Sequence, residues 1–294
     1  MSRALKAGDQ SDLWASLVSL GKEDEAALAL AADYVADQPG AADLMSRWAA
    51  AEPANPLALS LLAGTQINDA WAIRSGRRAS EVNTDAFEGF FGRLREAEQD
   101  LIKACAIEPD VGLPWHLRLF TARGLELGVG ESQRRYDRLM RISPHHFPGQ
   151  AAMLQNLCTK WGGEPDAALA FARSCSSAAP PGSANGALVA IAHLEEYVAR
   201  GPKDGASYMH DAGVRAELSA AAAQSVDHSD YRVDKNGPTP STVFGIAFAV
   251  AGESPQAFRH LQIAGENATE SWFGYLVGTD AATVADLRRR AGVA

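Results

Sequence analysis

The chain has 294 residues, 47% hydrophobic and only 7% aromatic, with a net charge of −9. That length supports one large domain or two ordinary ones, and the apolar share supports a sizeable core. The negative balance argues against nucleic-acid binding, which needs a basic stripe to neutralise phosphates, and it favours a soluble cytoplasmic protein with a basic or neutral partner.

Taken in order, residues 1–11 are polar and read as a frayed start with no apolar run of a secretory signal. Asp12 or Ser11 can cap a helix through Leu20 that Gly21 ends. Glu23 to Ala36 and Ala41 to Ala51 are the next helices, separated by Gln38-Pro39-Gly40. Glu52-Pro53-Ala54-Asn55-Pro56 breaks the chain before an apolar helix from Leu57 to Arg74, and residues 77–85 read as a linking loop. From Phe87 to Ile107 the residues Phe90, Leu94, Ala97, Leu101 and Ala104 recur at spacings of three and four, an amphipathic helical stripe. Helices are expected over 115–127, 131–142, 145–160 and 165–176. Further helices are expected over 188–200 and over 206–224, the latter bent near Gly213. Residues 226–240 form an irregular loop, 242–251 and 255–265 a last clean pair, and 266–294 capping helices. No stretch approaches the 18 uncharged apolar residues of a membrane span.

Ala97, Ser132 and Ala167 lie 35 positions apart, each followed four residues on by Leu101, Tyr136 and Phe171, and closed by Pro109, Pro144 and Ala179. This pattern resembles tetratricopeptide-like helical repeats, whose unit is a 34-residue helix pair. It departs from them at His116 and Ala151, where the family has Trp, and at Phe120 and Gln155, where it has a small residue. Lys160-Trp161-Gly162-Gly163-Glu164, Ala70-Trp71-Ala72-Ile73-Arg74 and His145-His146 together resemble an uncharacterised bacterial helical-repeat family of unknown function. The resemblance implies one all-α domain over 1–294, a right-handed solenoid of stacked antiparallel helix pairs best defined over 87–200, and supplies no activity.

Two glycines after a helix suit a left-handed C-terminus, so Lys160-Trp161-Gly162-Gly163 has a structural reading, with a recognition patch as the alternative. Trp71 and Arg74 share a helix face at i, i+3 and can make a cation–π pair. Glu195-Glu196 and Asp137 with Arg134 and Arg138 read as solvated faces. Cys105, Cys158 and Cys175 lack ligand spacing and read as buried thiols. Arg288–Arg290 reads as a helix-end cluster. His145 and His146 cannot share a helix face, so a metal would need one of them with His116, His193 or Cys158; no metal or cofactor is expected.

The expected function is a non-enzymatic protein-interaction scaffold binding a peptide or protein in a concave groove. Trp71, Arg74, Trp115, His116, Arg123, His145, His146, Lys160 and Trp161 are its groove candidates, with no catalytic residue assigned. The alternative is an enzyme or accessory protein acting on a small molecule or peptide, with a polar pocket near His145, His146 and Lys160. No membrane and no nucleic acid are expected as partners, and a homodimer stays open.

Overall fold

The computed structural model describes residues 10–74, 84–233 and 237–264. Of the linking loop expected over 77–85, residues 77–83 lie outside them, as do the capping helices over 266–294 and the Arg288–Arg290 run, while Thr84 and Asp85 are helical and not loop. The described residues contain fourteen α-helices and no strand. The chain divides into two compact units, residues 1–156 and 157–294.

In the first unit, α1 (Gln10–Glu23) starts before the expected cap and places Asp12 in its first turn, against the positive end of the helix. Gly21 does not end α1. It is helical, and a Cβ there would come within 2.9 Å of Leu28 Cδ2, so the missing side chain leaves room for Leu28 of the neighbouring helix. That neighbour, α2 (Glu25–Ala36), is capped by Asp24, whose Oδ1 accepts from the Ala26 and Ala27 N–H groups at 2.9 and 3.1 Å. Next come α3 (Ala41–Ala51) and α4 (Pro56–Arg74), with Asn55 Oδ1 accepting from Leu57 N at 3.0 Å to start the latter. Then follow α5 (Thr84–Ile107), α6 (Gly112–Gly124), α7 (Val129–Ile142) and α8 (Phe147–Leu157). Successive helices pack on one another from α1 to α7, and α2 with α4 and α4 with α6 also touch. Leu17, Leu28, Met45, Leu61, Phe90, Leu94 and Leu101 form the centre of the core. Of the three repeat positions, Ala97 and Ser132 are buried, while Ala167 lies half-buried at the start of α9 (Ala167–Ala178).

The second unit begins with a 3-10 turn, Thr159–Trp161, where a continuous helix to Lys160 was expected. Gly162 closes it at φ +87°, and a Cβ on Gly163 would sit 1.9 Å from the Leu157 carbonyl oxygen. The two glycines therefore have separate structural reasons. Gly163→Ala should cost about 3 kcal/mol, because backbone blocks the methyl, whereas Gly162→Ala meets open space and should cost about 1–2 kcal/mol of left-handed strain. Urea unfolding of both variants checks that order, and a reversed order contradicts it.

After α9 comes α10 (Ala187–Arg200), buried from Ala187 to Glu195 and packed against α9, α11 (Pro202–Met209), α12 (Ala212–Gln224) and α13 (Thr239–Val250). The break expected near Gly213 falls at Asp211 instead, whose Oδ1 accepts from Gly213 and Val214 N–H and starts α12. The last described helix, α14 (Ser254–Ala264), packs on α13. In the segment expected to be irregular, Val226 and Tyr231 are buried. The three cysteines are buried.

Candidate functional site

Three of the sequence candidates meet in the first unit. Trp71 meets Phe90 edge-on, with centroids 5.1 Å apart. The Arg74 guanidinium lies 5.4 Å above Trp71, and Arg123 lies 5.1 Å from Trp71 and 5.3 Å from Phe120. The expected Trp71–Arg74 pair is thus part of an Arg–aromatic stack joining α4, α5 and α6. Burial pushes the Arg74 pKa down.

His116 continues this row. Its ring stands 5.3 Å from Phe120 and 5.5 Å from His146. His116 is 1% exposed and His146 0%, so both lie under the surface and line no open groove. Gly149 N–H donates to His146 Nδ1 at 2.9 Å, which leaves Nε2 to donate to the Glu25 carbonyl at 3.2 Å. Burial, reinforced by His116, pushes the His146 pKa down to about 3, so the neutral tautomer is held. His145 is half-buried at φ +63°, in the turn before α8. Trp115 is buried, donating from Nε1 to the Pro109 carbonyl at 3.0 Å beneath the Arg118 guanidinium.

In the second unit, Lys160 Nζ donates to Glu195 Oε2 at 2.6 Å, and Trp161 is half-buried on the 3-10 turn. Glu195 is 6% exposed, which corrects its reading as a solvated face; Glu196 is half-buried and paired with Arg200. His193 forms a chain the sequence did not reveal. Its Nε2 lies 3.2 Å from Glu217 Oε2 and its Nδ1 2.6 Å from the Tyr208 hydroxyl, while Arg173 clasps Glu217 with two bonds. A carboxylate only accepts, so Nε2 donates to Glu217 and Tyr208 donates to Nδ1. Burial pushes Tyr208 up to about 12, so it keeps its proton at neutral pH.

A second unforeseen network lies in the first unit. Glu98 on α5 accepts from Arg118 Nη2 at 2.8 Å, Arg135 Nη2 at 2.9 Å and the Thr121 hydroxyl at 2.5 Å. All three charged groups are under 10% exposed. Arg134, one residue before Arg135, is exposed as expected and pairs with Glu131, whose pKa the Arg134 hydrogen bonds help hold at about 2.

An open concavity lies elsewhere in this unit. A cavity of about 720 Å³ is bounded by α1, the start of α2, the loop before α4 and the loop before α6. Trp14, Leu17, Val18, Leu28 and Leu57 give it apolar walls, and Glu25, Glu52, Glu108, Asp110 and Lys22 supply its charges. The Glu25 carboxylate lies over the N-terminus of α6. Burial pushes its pKa up, and the nearby Gly112 and Leu113 N–H groups only partly offset this. Neither makes an aligned bond to Glu25 Oε2, which is buried. None of the nine sequence candidates lines this cavity. Its walls come from segments that read as a chain break and a helix end, and only their acidic residues beside apolar ones could have drawn notice.

No protein-family model matches the chain, and comparison with curated proteins and with solved structures returns no match. Among the described residues, no helix is long and apolar enough to cross a membrane. Among those residues, too, no group of three or more His, Cys, Asp or Glu side chains is placed to hold a metal ion.

Proposed function

We propose that this chain is a non-enzymatic binding module. In this reading its helices stack as antiparallel pairs in a right-handed, tetratricopeptide-like array, and the cavity of the first unit docks a segment of a partner protein. Contacts between successive and next-but-one helices support the stacking, because each pair must bury its apolar face on a neighbour. The observation that carries the docking is the cavity itself, about 720 Å³ with an apolar floor from α1 and α2.

The Tyr208–His193–Glu217 chain favours a second reading, acid–base chemistry on a small molecule or peptide. A phenol that holds its proton to about pH 12 suits a pin between helices better than a base.

Val18 is half-buried on α1 and faces the cavity. Val18→Gln exchanges an apolar wall for a polar one and should weaken a docked segment about tenfold, the value of one buried aliphatic side chain. Peptides selected on the wild type from a phage-displayed random library supply the probe, with circular dichroism confirming the fold of the variant. Unchanged affinity would place docking elsewhere.

A further inference from the structure

Resting on that reading, we propose that the docked segment carries a lysine or arginine beside a bulky apolar side chain. Four carboxylates, Glu25, Glu52, Glu108 and Asp110, face the cavity against one ammonium, Lys22. They reach it from three separate segments: the start of α2, the turn after α3 and the turn after α5. Acidic groups on loops are ordinarily just solvated. These surround a concave apolar wall, where low-dielectric surroundings concentrate the field that a bound cation would meet.

Two details sharpen the match. Glu25 stands at the cavity wall with its carboxyl group over the N-terminus of α6, close to the Gly112 and Leu113 N–H groups, so it adds an acidic group to the wall while the groups a cation can reach are those at the rim. Trp14 stands at the wall, braced edge-on by Trp48 at 5.0 Å, and an indole face is a good seat for a guanidinium or for a flat apolar group. Glu52 is partly engaged by the Asn55 amide at 2.7 Å, a neutral donor that leaves its charge in place. Glu108 and Asp110 are exposed at the rim, where they would meet the cation as it arrives and set the salt dependence of docking.

A phage-displayed random peptide library selected on the full chain tests this, with the enriched sequences remade as N-acetylated, C-amidated peptides and titrated. The enriched set should place Lys or Arg within four residues of an aromatic or large aliphatic residue. Affinity should fall about three- to tenfold in the Glu108→Gln/Asp110→Asn variant, and comparably when salt is raised to 0.5 M. Peptides that are lost on Val18→Gln but indifferent to both charge changes would leave the cavity as the docking site and overturn its cationic specificity. Peptides indifferent to Val18→Gln, or none enriched over that variant, would overturn the docking reading and this inference together. A molecular mass that doubles with concentration in light scattering, and does so only with Val18 intact, would make a second copy of this chain the occupant and overturn the partner segment.

Discussion

Replacing Glu98 with alanine should destabilise the protein by about 3–5 kcal/mol. Glu98 is the shared acceptor of Arg118 and Arg135, which are 8% and 2% exposed, and of the Thr121 hydroxyl. Removing it leaves two guanidiniums facing each other out of water. Arg135 would keep Glu131 Oε1 at 2.7 Å and the Arg118 carbonyl at 2.6 Å, but Arg118 would lose its carboxylate altogether. Arg135→Met should cost less, because Glu98 then still holds Arg118 and Thr121 and the remaining pair stays neutral. Urea unfolding followed by circular dichroism measures both. A cost under about 1 kcal/mol for Glu98→Ala would mean that water reaches the network and that its members do not act as a buried unit.

The second large effect is on acid stability. His146 is held neutral down to about pH 3 and His260 down to about pH 4, both chiefly by burial. His260 lies flat against Phe248, with ring planes 10° apart, and its Nε2 is 3.7 Å from Asp227 Oδ2, a carboxylate that Arg259 also pairs. In the unfolded chain both imidazoles titrate near 6.5. Between about pH 6.5 and 4 the unfolded state therefore binds two protons that the folded state refuses. The stability these groups contribute is complete above pH 6.5 and is lost as pH falls towards their folded values. Each contributes a slope of about 1.4 kcal/mol per pH unit in that window, near 2.7 kcal/mol for the two together. Glu25, whose pKa is raised, acts in the opposite direction near its own titration. Unfolding midpoints at pH 7, 6 and 5 should decline steeply below pH 6.5; His193, whose pKa burial also pushes down, adds to the decline, and His146→Gln should remove about 1.4 kcal/mol per pH unit of it. A flat profile from pH 7 to 5 would show that the rings accept protons in place.

The sequence was most informative where one helix reports on itself. The α5 stripe was legible because Phe90, Leu94, Ala97, Leu101 and Ala104 repeat at the helical period and all are buried. The Trp71–Arg74 pair was legible for the same reason, being one turn apart on α4. What the period cannot carry is pairing between helices. Glu98, Arg118 and Arg135 lie 20 and 37 positions apart, and Arg135 sits among exposed arginines, so nothing local marked it as buried. His193, Tyr208 and Glu217 meet only because α10, α11 and α12 fold back on one another. Glu195 looked solvated because its partner, Lys160, is 35 residues away. The cavity was hidden for a related reason: its rim consists of turns, and a turn reads as punctuation until the fold sets it against an apolar helix face.

The claim on which the functional account depends is that the cavity between α1, α2 and the two adjoining loops is where a partner docks. Hydrogen–deuterium exchange of the full chain with and without the tightest selected peptide tests it most directly. The account predicts slowed exchange over residues 14–28, 52–57 and 108–111, with the helices around His193 unchanged. Protection confined to other segments, or none at saturating peptide, would contradict it.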